Sequence, residues 1–395
     1  MRFARRMKTL GEDTQDLMDL MSLADAPGIL CFSGGFPSPD TYPIDDIKKT
    51  MIEIMEDDAK GALSYSSPAG YLELRGQIAA RMKKHFGLDF PAERVMLVAG
   101  SQQGLDLNGL LFIDPGDVIL FEKPSYLGAL NALKTYEAEL VAIPTDRDGM
   151  VLEELAQALK RYGDRIKLIY VNPDHQNPTG RSWSQERRKA FIEMIQNCDT
   201  AVLEDAAYAE LSFSDQKQRP LVSYDQKGQV IYLGTFSKTF CPGLRIGWVC
   251  GAKEVVDKLL ALKTNVDLSP AAILQRQMAY YLRSRDLDAH IRGICKLYRR
   301  RRDVMLEAIR ANFPAEARYD IPEGGLFFWV AFPEHVDTKE ILKRALEERV
   351  AFVPGGAFYP GAEKNNEMRL NFSNMPEEDI VKGMSILGRI AKGFV

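Results

Sequence analysis

One stretch of the chain carries most of the chemistry that the sequence offers: residues 234–247, with the sequence GTFSKTFCPGLRIG. Lys238 stands between hydroxyl side chains, and Arg245 follows seven residues later, beyond a Pro-Gly turn. Hydroxyl groups and a guanidinium are good donors for a phosphate dianion, and a lysine amine is the nucleophile that condenses with an aldehyde. We therefore expect this stretch to hold a small molecule that has both a phosphate and an aldehyde.

Around this stretch, from about residue 61 to residue 250, short apolar runs alternate with longer helical patterns. Most of the short runs are rich in β-branched residues, as strands buried on both faces should be. This alternation predicts an α/β fold with a doubly wound, mostly parallel sheet and a ligand site at the carboxyl ends of the strands. The predicted strands are 95–99, 118–121, 166–171, 200–203, 230–233 and 246–250.

A second region begins near Asp286 and mixes helices with strands, which predicts a smaller α/β domain. Its predicted elements are helices at 290–311 and 338–349 and strands near 351–353 and 368–372. The long helix contains four consecutive arginines at 299–302. Because the chain is acidic overall and no aromatic residues interleave with this run, we interpret it as a solvated or salt-bridged helix face. The predicted division of the chain is an N-terminal arm at 1–15, a small domain at 16–56 and 288–395, and a large domain at 57–287.

The bulk composition argues against several classes of protein. The chain has 395 residues, a formal net charge of −4 and five cysteines. No run of about 18 apolar residues predicts a membrane span, and an acidic balance does not favour a nucleic-acid partner. The cysteines are odd in number and lack a CxxC spacing, and the histidines lack a metal-binding spacing. We therefore expect a cytoplasmic protein without disulfides or a metal site.

A second segment predicts an anion site. The strand at 95–99 runs into Gly100, Ser101 and Gln102, and a helical pattern follows. A glycine and an N-cap serine at a helix start would direct backbone N–H groups at one point. Alone this signal is weak. It becomes much stronger when Thr235, Ser237 and Arg245 are added as donors for the same phosphate.

Polar residues also follow other predicted strands. Glu204 and Asp205 end the strand at 200–203, and because neighbouring residues of a strand point to opposite faces, only one of them should face a ligand. Asn177 lies in YVNPDHQNPTG (170–180), and Tyr126 lies in KPSY (123–126). Arg369 alternates into an otherwise apolar strand, where a charge is costly unless it is paired. Each position is consistent with a site at the carboxyl ends of the strands.

These motifs, in this order, resemble the fold-type I aminotransferases of class I/II, in particular the branch that handles 2-aminoadipate, kynurenine and aromatic amino acids. The pattern S/T-x-S-K-x-x-x-x-G-x-R-x-G occupies 235–247, and the resemblance extends from about residue 31 to residue 372. It implies a large domain with a mostly parallel seven-stranded sheet and a smaller α/β domain. It also implies pyridoxal 5'-phosphate as the cofactor, joined to Lys238 as a Schiff base.

The resemblance assigns roles to individual residues. Asp205 would keep the ring nitrogen protonated, Tyr126 would stack on the ring, and Asn177 and Tyr208 would bond the phenolic oxygen. Arg369, assisted by Asn177, would bind the substrate carboxylate. The phosphate would be contacted by Ser101 or Gln102, by Thr235, by Ser237 and by Arg245. Together with Lys238, Asp205 and Tyr126 form the predicted catalytic set.

The resemblance also implies an activity and an assembly. Lys238 would move the Cα proton, so that the amino group of an L-amino acid passes to a 2-oxo acid. For this the amine must be neutral, and burial beside a cationic cofactor should lower the pKa of Lys238. Tyr65, in YSSPAGY (65–71), would reach the phosphate of the partner subunit in a homodimer. The backbone of Gly35, in SGGFPSP (33–39), would line the substrate pocket.

The choice of substrate depends on the N-terminal segment. Family members that act on 2-aminoadipate carry an arginine on the N-terminal helix, whereas an ungapped count back from Gly28 places Met18 at that position. A dicarboxylic side chain then lacks its partner unless Arg5 or Arg6 of the arm supplies one. We therefore expect an aromatic or large apolar amino donor, with 2-oxoglutarate as acceptor.

Two other functions stay open at this point. A carbon–sulfur β-lyase on the same scaffold would use nearly the same cofactor-binding residues. A regulator that fuses this fold to a winged helix would need a DNA-binding domain before the aminotransferase region. Only 33 residues precede the Gly34-Gly35 motif, so we expect an enzyme rather than a regulator.

Overall fold

The computed structural model describes residues 1–9, 28–214, 218–359 and 365–395. Its strands are β1 (Leu30–Cys31), β2 (Val95–Ala99), β3 (Val118–Lys123), β4 (Glu139–Pro144), β5 (Ile166–Val171), β6 (Ala201–Asp205), β7 (Val230–Thr235), β8 (Ile246–Cys250), β9 (Arg318–Tyr319), β10 (Phe327–Ala331), β11 (Val350–Ala351), β12 (Val353–Pro354) and β13 (Glu367–Asn371). Its α-helices are α1 (Ile44–Asp57), α2 (Ala59–Ala62), α3 (Leu72–Phe86), α4 (Ser101–Phe112), α5 (Leu127–Lys134), α6 (Leu152–Tyr162), α7 (Gln185–Ile195), α8 (Lys253–Asp267), α9 (Ala272–Ser284), α10 (Leu287–Asn312), α11 (Thr338–Glu347) and α12 (Glu377–Ala391).

The largest sheet has seven strands in the order β2-β8-β7-β6-β5-β3-β4. Strands β3 to β7 pair in parallel, whereas β8 runs antiparallel to both of its neighbours. Alternate residues of β2 enter two different apolar clusters: Val95 and Leu97 join one, and Met96 and Val98 join the other. The sheet is therefore buried on both faces, as the apolar strand sequences predict.

All six strands predicted for the large sheet are present. Those at 95–99, 166–171 and 246–250 have the predicted bounds, and the other three differ by one or two residues at one or both ends. Strand β4, which lies at the edge of the sheet, was not predicted. Only Ile143 in this strand is fully buried, although residues 140–143 form a short apolar run in the sequence.

The smaller part of the fold contains a four-stranded antiparallel sheet in the order β12-β13-β10-β9. Helix α10 starts near the large sheet, where Leu287 and Ile291 join its core, and continues into the core of the small sheet with Ile294 and Tyr298. We propose a domain boundary at the start of this helix, and the division given by the sequence stays a prediction.

The interpretation of the arginine run as a solvated or salt-bridged face is right for the salt bridges. Arg300 is exposed and pairs with Glu377. Arg301 and Arg302 are buried, but each forms an ion pair, with Asp40 at 2.9 Å and with Asp303 at 2.6 Å. These two side chains therefore do not face solvent, and they hold parts of the small domain together.

Candidate active site

The phosphate end of the predicted site lies where β2 meets α4. Gly100 is the N-cap of α4, with a φ of 75°, and Ser101 is the first helical residue. The prediction of Ser101 as the N-cap was therefore wrong by one position, because the chain needs a positive φ that glycine adopts without strain. The side-chain amide of Gln102 donates to the carbonyl of Gly128 at 2.9 Å. This bond ties the start of α4 to α5.

The residues of the 234–247 stretch meet at this helix start. The Thr235 hydroxyl donates to that of Ser237 at 3.0 Å, and an Arg245 Nη1 donates to the same Ser237 oxygen at 3.3 Å. Arg245 Nη2 donates to the carbonyl of Ala99 at 3.4 Å. A Cβ on Gly100 would lie 2.1 Å from Arg245 Nη2. Because Gly100 has no Cβ, the Arg245 guanidinium can approach the helix N-terminus, and together with the two hydroxyls these groups offer donors that suit an anion.

The carboxylate of Asp205 lies at the end of β6 and is 4% exposed. Its Oδ2 accepts from the Tyr170 hydroxyl at 2.9 Å, and its Oδ1 accepts from the Ala207 N–H at 3.3 Å. Burial raises the pKa of Asp205 to about 6, while the two hydrogen bonds and the charge of Lys238 oppose the increase. At neutral pH this side chain is a buried carboxylate that can accept a bond from a cationic ring nitrogen.

Glu204 points to the opposite side of the strand, as the alternation predicts. Its carboxylate accepts from the backbone N–H groups of Leu221 (2.7 Å) and Val222 (3.0 Å). Burial raises the pKa of Glu204 to about 7. The two acids are therefore both buried, and they serve different parts of the structure.

Lys238 lies near the charged groups of the site. Its Nζ donates to the carbonyl of Gly35 at 2.8 Å. Burial, followed by the positive charges of Arg369 and Arg245, lowers the pKa of Lys238 to about 8, and the charge of Asp205 works in the opposite direction. Because the pKa is lowered, the neutral amine becomes the major form once the pH exceeds about 8, and a substantial fraction is neutral just below that pH.

Arg369 lies on β13 and is 7% exposed. Its Nη1 donates to the Asn177 Oδ1 at 2.7 Å, and its Nη2 donates to the carbonyl of Ser33. The guanidinium lies 4.3 Å from the ring centre of Phe327 and 4.9 Å from that of Phe358. Among the residues that the structure describes, Nε of Arg369 has no hydrogen-bond partner. A buried cation held in this way suits a carboxylate ligand.

Two tyrosines and Asn177 complete the enclosure. Asn177 and the Tyr208 hydroxyl share a hydrogen bond that lowers the pKa of Tyr208 and thus opposes the increase caused by burial. The Tyr208 ring packs edge-on against Phe327, with ring centres 5.9 Å apart. Tyr126 is the N-cap residue of α5, and the charges of Asp205 and Arg369 both act on its hydroxyl. The predicted ring-binding residues therefore lie in one place.

Three predicted residues stand apart from this cluster or outside the description. Tyr65 is 87% exposed, so its predicted role depends on a second subunit. Met18 lies outside the described residues. Arg5 pairs with Glu137, and the shortest distance between their charged atoms is 2.6 Å. Glu137 lies just before the first residue of β4, whereas the site lies at the carboxyl ends of the parallel strands. Arg5 of this chain therefore does not supply a cation to the site of the same chain.

The sequence analysis missed two buried polar residues at the end of β5. Tyr170 bonds the Asp205 carboxylate, and Asn172 contacts both Asp205 and Asn177. The only available signal was their spacing, because residues two apart share a face of a strand. A tyrosine in a buried strand is ordinarily interpreted as core, so its hydroxyl partner could be found only in three dimensions.

Comparisons with known proteins agree with this geometry. The family Aminotransferase class I and II matches residues 29–387. The chain is 39% identical to aromatic-amino-acid aminotransferase 1 of Thermococcus litoralis over 388 residues, which cover 98% of this chain and 93% of the relative.

Two solved structures extend the likeness to three dimensions. The kynurenine aminotransferase of Pyrococcus horikoshii, in complex with PMP, has 37% identity and a TM-score of 0.91, with 100% of this chain and 95% of that chain covered. The alpha-aminoadipate aminotransferase of Thermus thermophilus, complexed with N-(5'-phosphopyridoxyl)-L-leucine, has 32% identity, a TM-score of 0.90 and 98% coverage of both chains. This chain therefore belongs to the class I and II aminotransferases, and it is an enzyme that transfers amino groups.

Proposed function

We propose that this enzyme uses pyridoxal 5'-phosphate to move the amino group of an aromatic or large apolar L-amino acid to a 2-oxo acid such as 2-oxoglutarate. One observation carries the proposal: the Lys238 amine lies close enough to Arg245, Asp205 and Arg369 for all three charges to act on its pKa. These charges suit, respectively, a phosphate, a protonated ring nitrogen and a substrate carboxylate.

The residues present fit this cofactor. Because Gly100 has no Cβ, the guanidinium of Arg245 approaches the start of α4, where it also donates to the hydroxyl of Ser237, next to that of Thr235. We infer that these groups, with Ser101 and Gln102 at the start of α4, hold the phosphate. Asp205 would bond the ring nitrogen, Asn177 and Tyr208 the phenolic oxygen, and Tyr126 would pack on the ring.

Each side chain of the site has a separate role in amino-group transfer. When bound, pyridoxal phosphate supplies an electron sink that stabilises negative charge at the substrate Cα. Arg369 binds the substrate carboxylate and so orients the Cα–H bond, while the backbone of Gly35 lines the pocket. Neutral Lys238 accepts the Cα proton at Nζ and can return it to another carbon. The ionised carboxylate of Asp205 retains the proton on the ring nitrogen.

The preference for aromatic or large apolar donors rests on the sequence and on the relatives. Met18 stands where 2-aminoadipate-specific members carry an arginine, and Arg5 is paired with Glu137. The Thermococcus litoralis relative is named for aromatic amino acids and the Pyrococcus horikoshii structure for kynurenine. The likeness to the Thermus thermophilus enzyme makes 2-aminoadipate the competing donor to test.

We propose that the enzyme is a homodimer in which Tyr65 completes the phosphate site of the partner subunit. Large apolar side chains are exposed on and between α1, α2 and α3, which is typical of an interface. They are Ile44, Ile52, Met55, Leu63, Tyr65 and Leu72. Burying them against a second copy would remove this surface from water.

We also infer a cytoplasmic location. All five cysteines are free, which suits a reducing compartment. Among the residues that the structure describes, no helix has both the length and the apolar character needed to span a bilayer.

Replacing Lys238 by alanine should abolish both turnover and the visible absorbance of the Schiff base that this lysine forms with the cofactor, because the nucleophile and proton carrier is lost. Lys263→Ala is the matched control, since burial also lowers the pKa of Lys263 but its amine pairs with Asp267. Absorbance spectra and steady-state rates measure the outcome. Retention of both properties in Lys238→Ala would refute the assignment.

Gly100→Ala should weaken cofactor binding about tenfold or more, because its methyl group displaces Arg245 from the phosphate site. Gly116→Ala is the control: Gly116 has a φ of 93°, but a Cβ there meets nothing within 4 Å. Both variants should lose about 1–3 kcal/mol of stability, because each places a Cβ on a residue with a positive φ. Fluorescence titration of apoenzyme with pyridoxal phosphate should show weaker binding only for Gly100→Ala, and equal binding by both variants would contradict the phosphate assignment.

The donor preference can be measured by adding single amino acids to the cofactor-loaded enzyme. Phenylalanine, kynurenine and leucine should convert the absorbance of the bound aldehyde form to that of the amine form faster than 2-aminoadipate does. Stopped-flow absorbance gives the rate constants. A higher kcat/KM for 2-aminoadipate would overturn the preference, whereas release of pyruvate and ammonia without an acceptor would indicate a lyase.

Mixing two inactive variants tests the role of Tyr65 across the interface. Lys238→Ala lacks the amine, and Tyr65→Ala should bind the cofactor phosphate weakly. If Tyr65 acts in the partner's site, a mixed dimer regains one site that has both residues, so activity should rise after subunit exchange. No increase in a mixture whose exchange is verified by mass spectrometry would place Tyr65 outside the partner's site.

A further inference from the structure

Asn172, just beyond the end of β5, is a buried polar side chain to which the mechanism above gives no task. It is 2% exposed. Its Oδ1 accepts from the backbone N–H of Asn177 at 2.8 Å, and its Nδ2 donates to the backbone carbonyl of Asp205 at 2.6 Å. Both polar atoms of the side chain therefore bond to residues that carry a predicted role in the site.

The backbone of Asn172 is also fixed. Its N–H donates to Oε2 of Glu122 at 2.7 Å, and Oε1 of Glu122 accepts from the indole N–H of Trp183 at 2.8 Å. Glu122 is 1% exposed and lies on β3. The backbone of Asn172 is thus fixed by β3, while its side chain bridges the segments that contain Asn177 and Asp205.

These bonds form a continuous chain across the site. Arg369 donates to the side chain of Asn177 at 2.7 Å, Asn177 donates to Asn172, and Asn172 donates to Asp205. We propose that Asn172 is a positioning residue that sets the spacing between the substrate-carboxylate end of the site, at Arg369 and Asn177, and the ring-nitrogen end, at Asp205. The inference rests on the proposed function.

An amide suits this position because it offers a donor and an acceptor on one rigid group. A leucine has a similar shape but neither polar atom, so the N–H of Asn177 would lose its partner in a site with little water. Relaxation of the two segments would then change their spacing, and a displacement of about 1 Å of a catalytic group can cost about 100-fold in rate.

Tyr170, which lies on β5 two residues before Asn172, provides a comparison. Its hydroxyl bonds Oδ2 of Asp205 at 2.9 Å, and this bond reaches neither Asn177 nor Arg369. Tyr170→Phe should therefore disturb only the ring-nitrogen end, whereas Asn172→Leu should disturb both ends. Asn108→Leu controls for loss of a buried amide, because Asn108 is fully buried in α4 and donates to the carbonyl of Gly104 at 2.8 Å.

The experiment measures each end of the site separately in the cofactor-loaded enzyme. Binding of 3-phenylpropionate, which has a carboxylate but no amino group to transfer, reports the Arg369 end. The pH at which the absorbance change of the bound cofactor is half complete, its pH midpoint, reports the Asp205 end. Since a proton on the ring nitrogen disfavours a second proton on the Schiff-base nitrogen, a weaker Asp205 contact should raise this midpoint.

For Asn172→Leu we expect roughly tenfold weaker binding of 3-phenylpropionate and a midpoint raised by roughly one unit. For Tyr170→Phe we expect the raised midpoint with ligand affinity unchanged. For Asn108→Leu we expect a lower melting temperature with neither property changed. This pattern separates a positioning role from a loss of stability alone.

Other outcomes would overturn the inference. If Asn172→Leu behaves like Asn108→Leu, or if only one end of the site responds, Asn172 does not connect the two ends. If the wild-type protein shows no cofactor absorbance, the proposed function fails and the inference fails with it. A normal wild-type spectrum beside an unaffected Asn172→Leu variant contradicts the inference alone.

Discussion

The site depends on lowering the pKa of one lysine amine inside a cluster of charges. Burial removes water from the ammonium form of Lys238, and the positive charges of Arg369 and Arg245 disfavour it further, so its pKa falls to about 8. Asp205 opposes this effect, but its own carboxylate is engaged by Tyr170 and Ala207. The arginines therefore have two effects: they offer binding sites for anions, and they help to keep the nucleophile unprotonated.

The fold brings these groups together because parallel strands end at the same edge of a sheet. Asp205 ends β6, Thr235 ends β7, and Tyr170 lies one residue before the end of β5. Arg369 comes from the small antiparallel sheet, so its contact with Asn177 crosses between the two parts of the fold. The carboxylate-binding end of the site is consequently formed only when both parts are in contact.

The sequence was sufficient to predict the central strands and the charged residues of the site. Strand β2 is a continuous apolar run, and Lys238 lies in a pattern with many fixed positions, so both could be identified without coordinates. Strand β4 could not, because its short apolar run between Glu139 and Pro144 is compatible with a buried helix segment as well as with a strand. Asn172 could not either, since its importance lies in partners five and 33 residues away that only the folded chain brings near.

Details of backbone conformation were also beyond the sequence. Serine is a residue favoured at the N-cap, yet the cap here is Gly100 and not Ser101, and the absence of a Cβ on Gly100 lets Arg245 approach the helix start. Arg301 belongs to a run interpreted as solvated or salt-bridged; it is salt-bridged to Asp40, but it is buried and also bonds Ser38. In both cases local composition favoured one interpretation, and long-range packing determined the structure.

Arg369 differs from an ordinary buried cation in the groups that surround its guanidinium. The guanidinium is packed between the rings of Phe327 and Phe358 and bonds neutral oxygens of Asn177 and Ser33. No carboxylate of a described side chain pairs with it. Burial accordingly lowers its pKa to about 10, which shows that its charge is poorly compensated within the chain. A carboxylate ligand would supply the missing charge, so the desolvation that destabilises Arg369 in the free protein favours binding of the substrate.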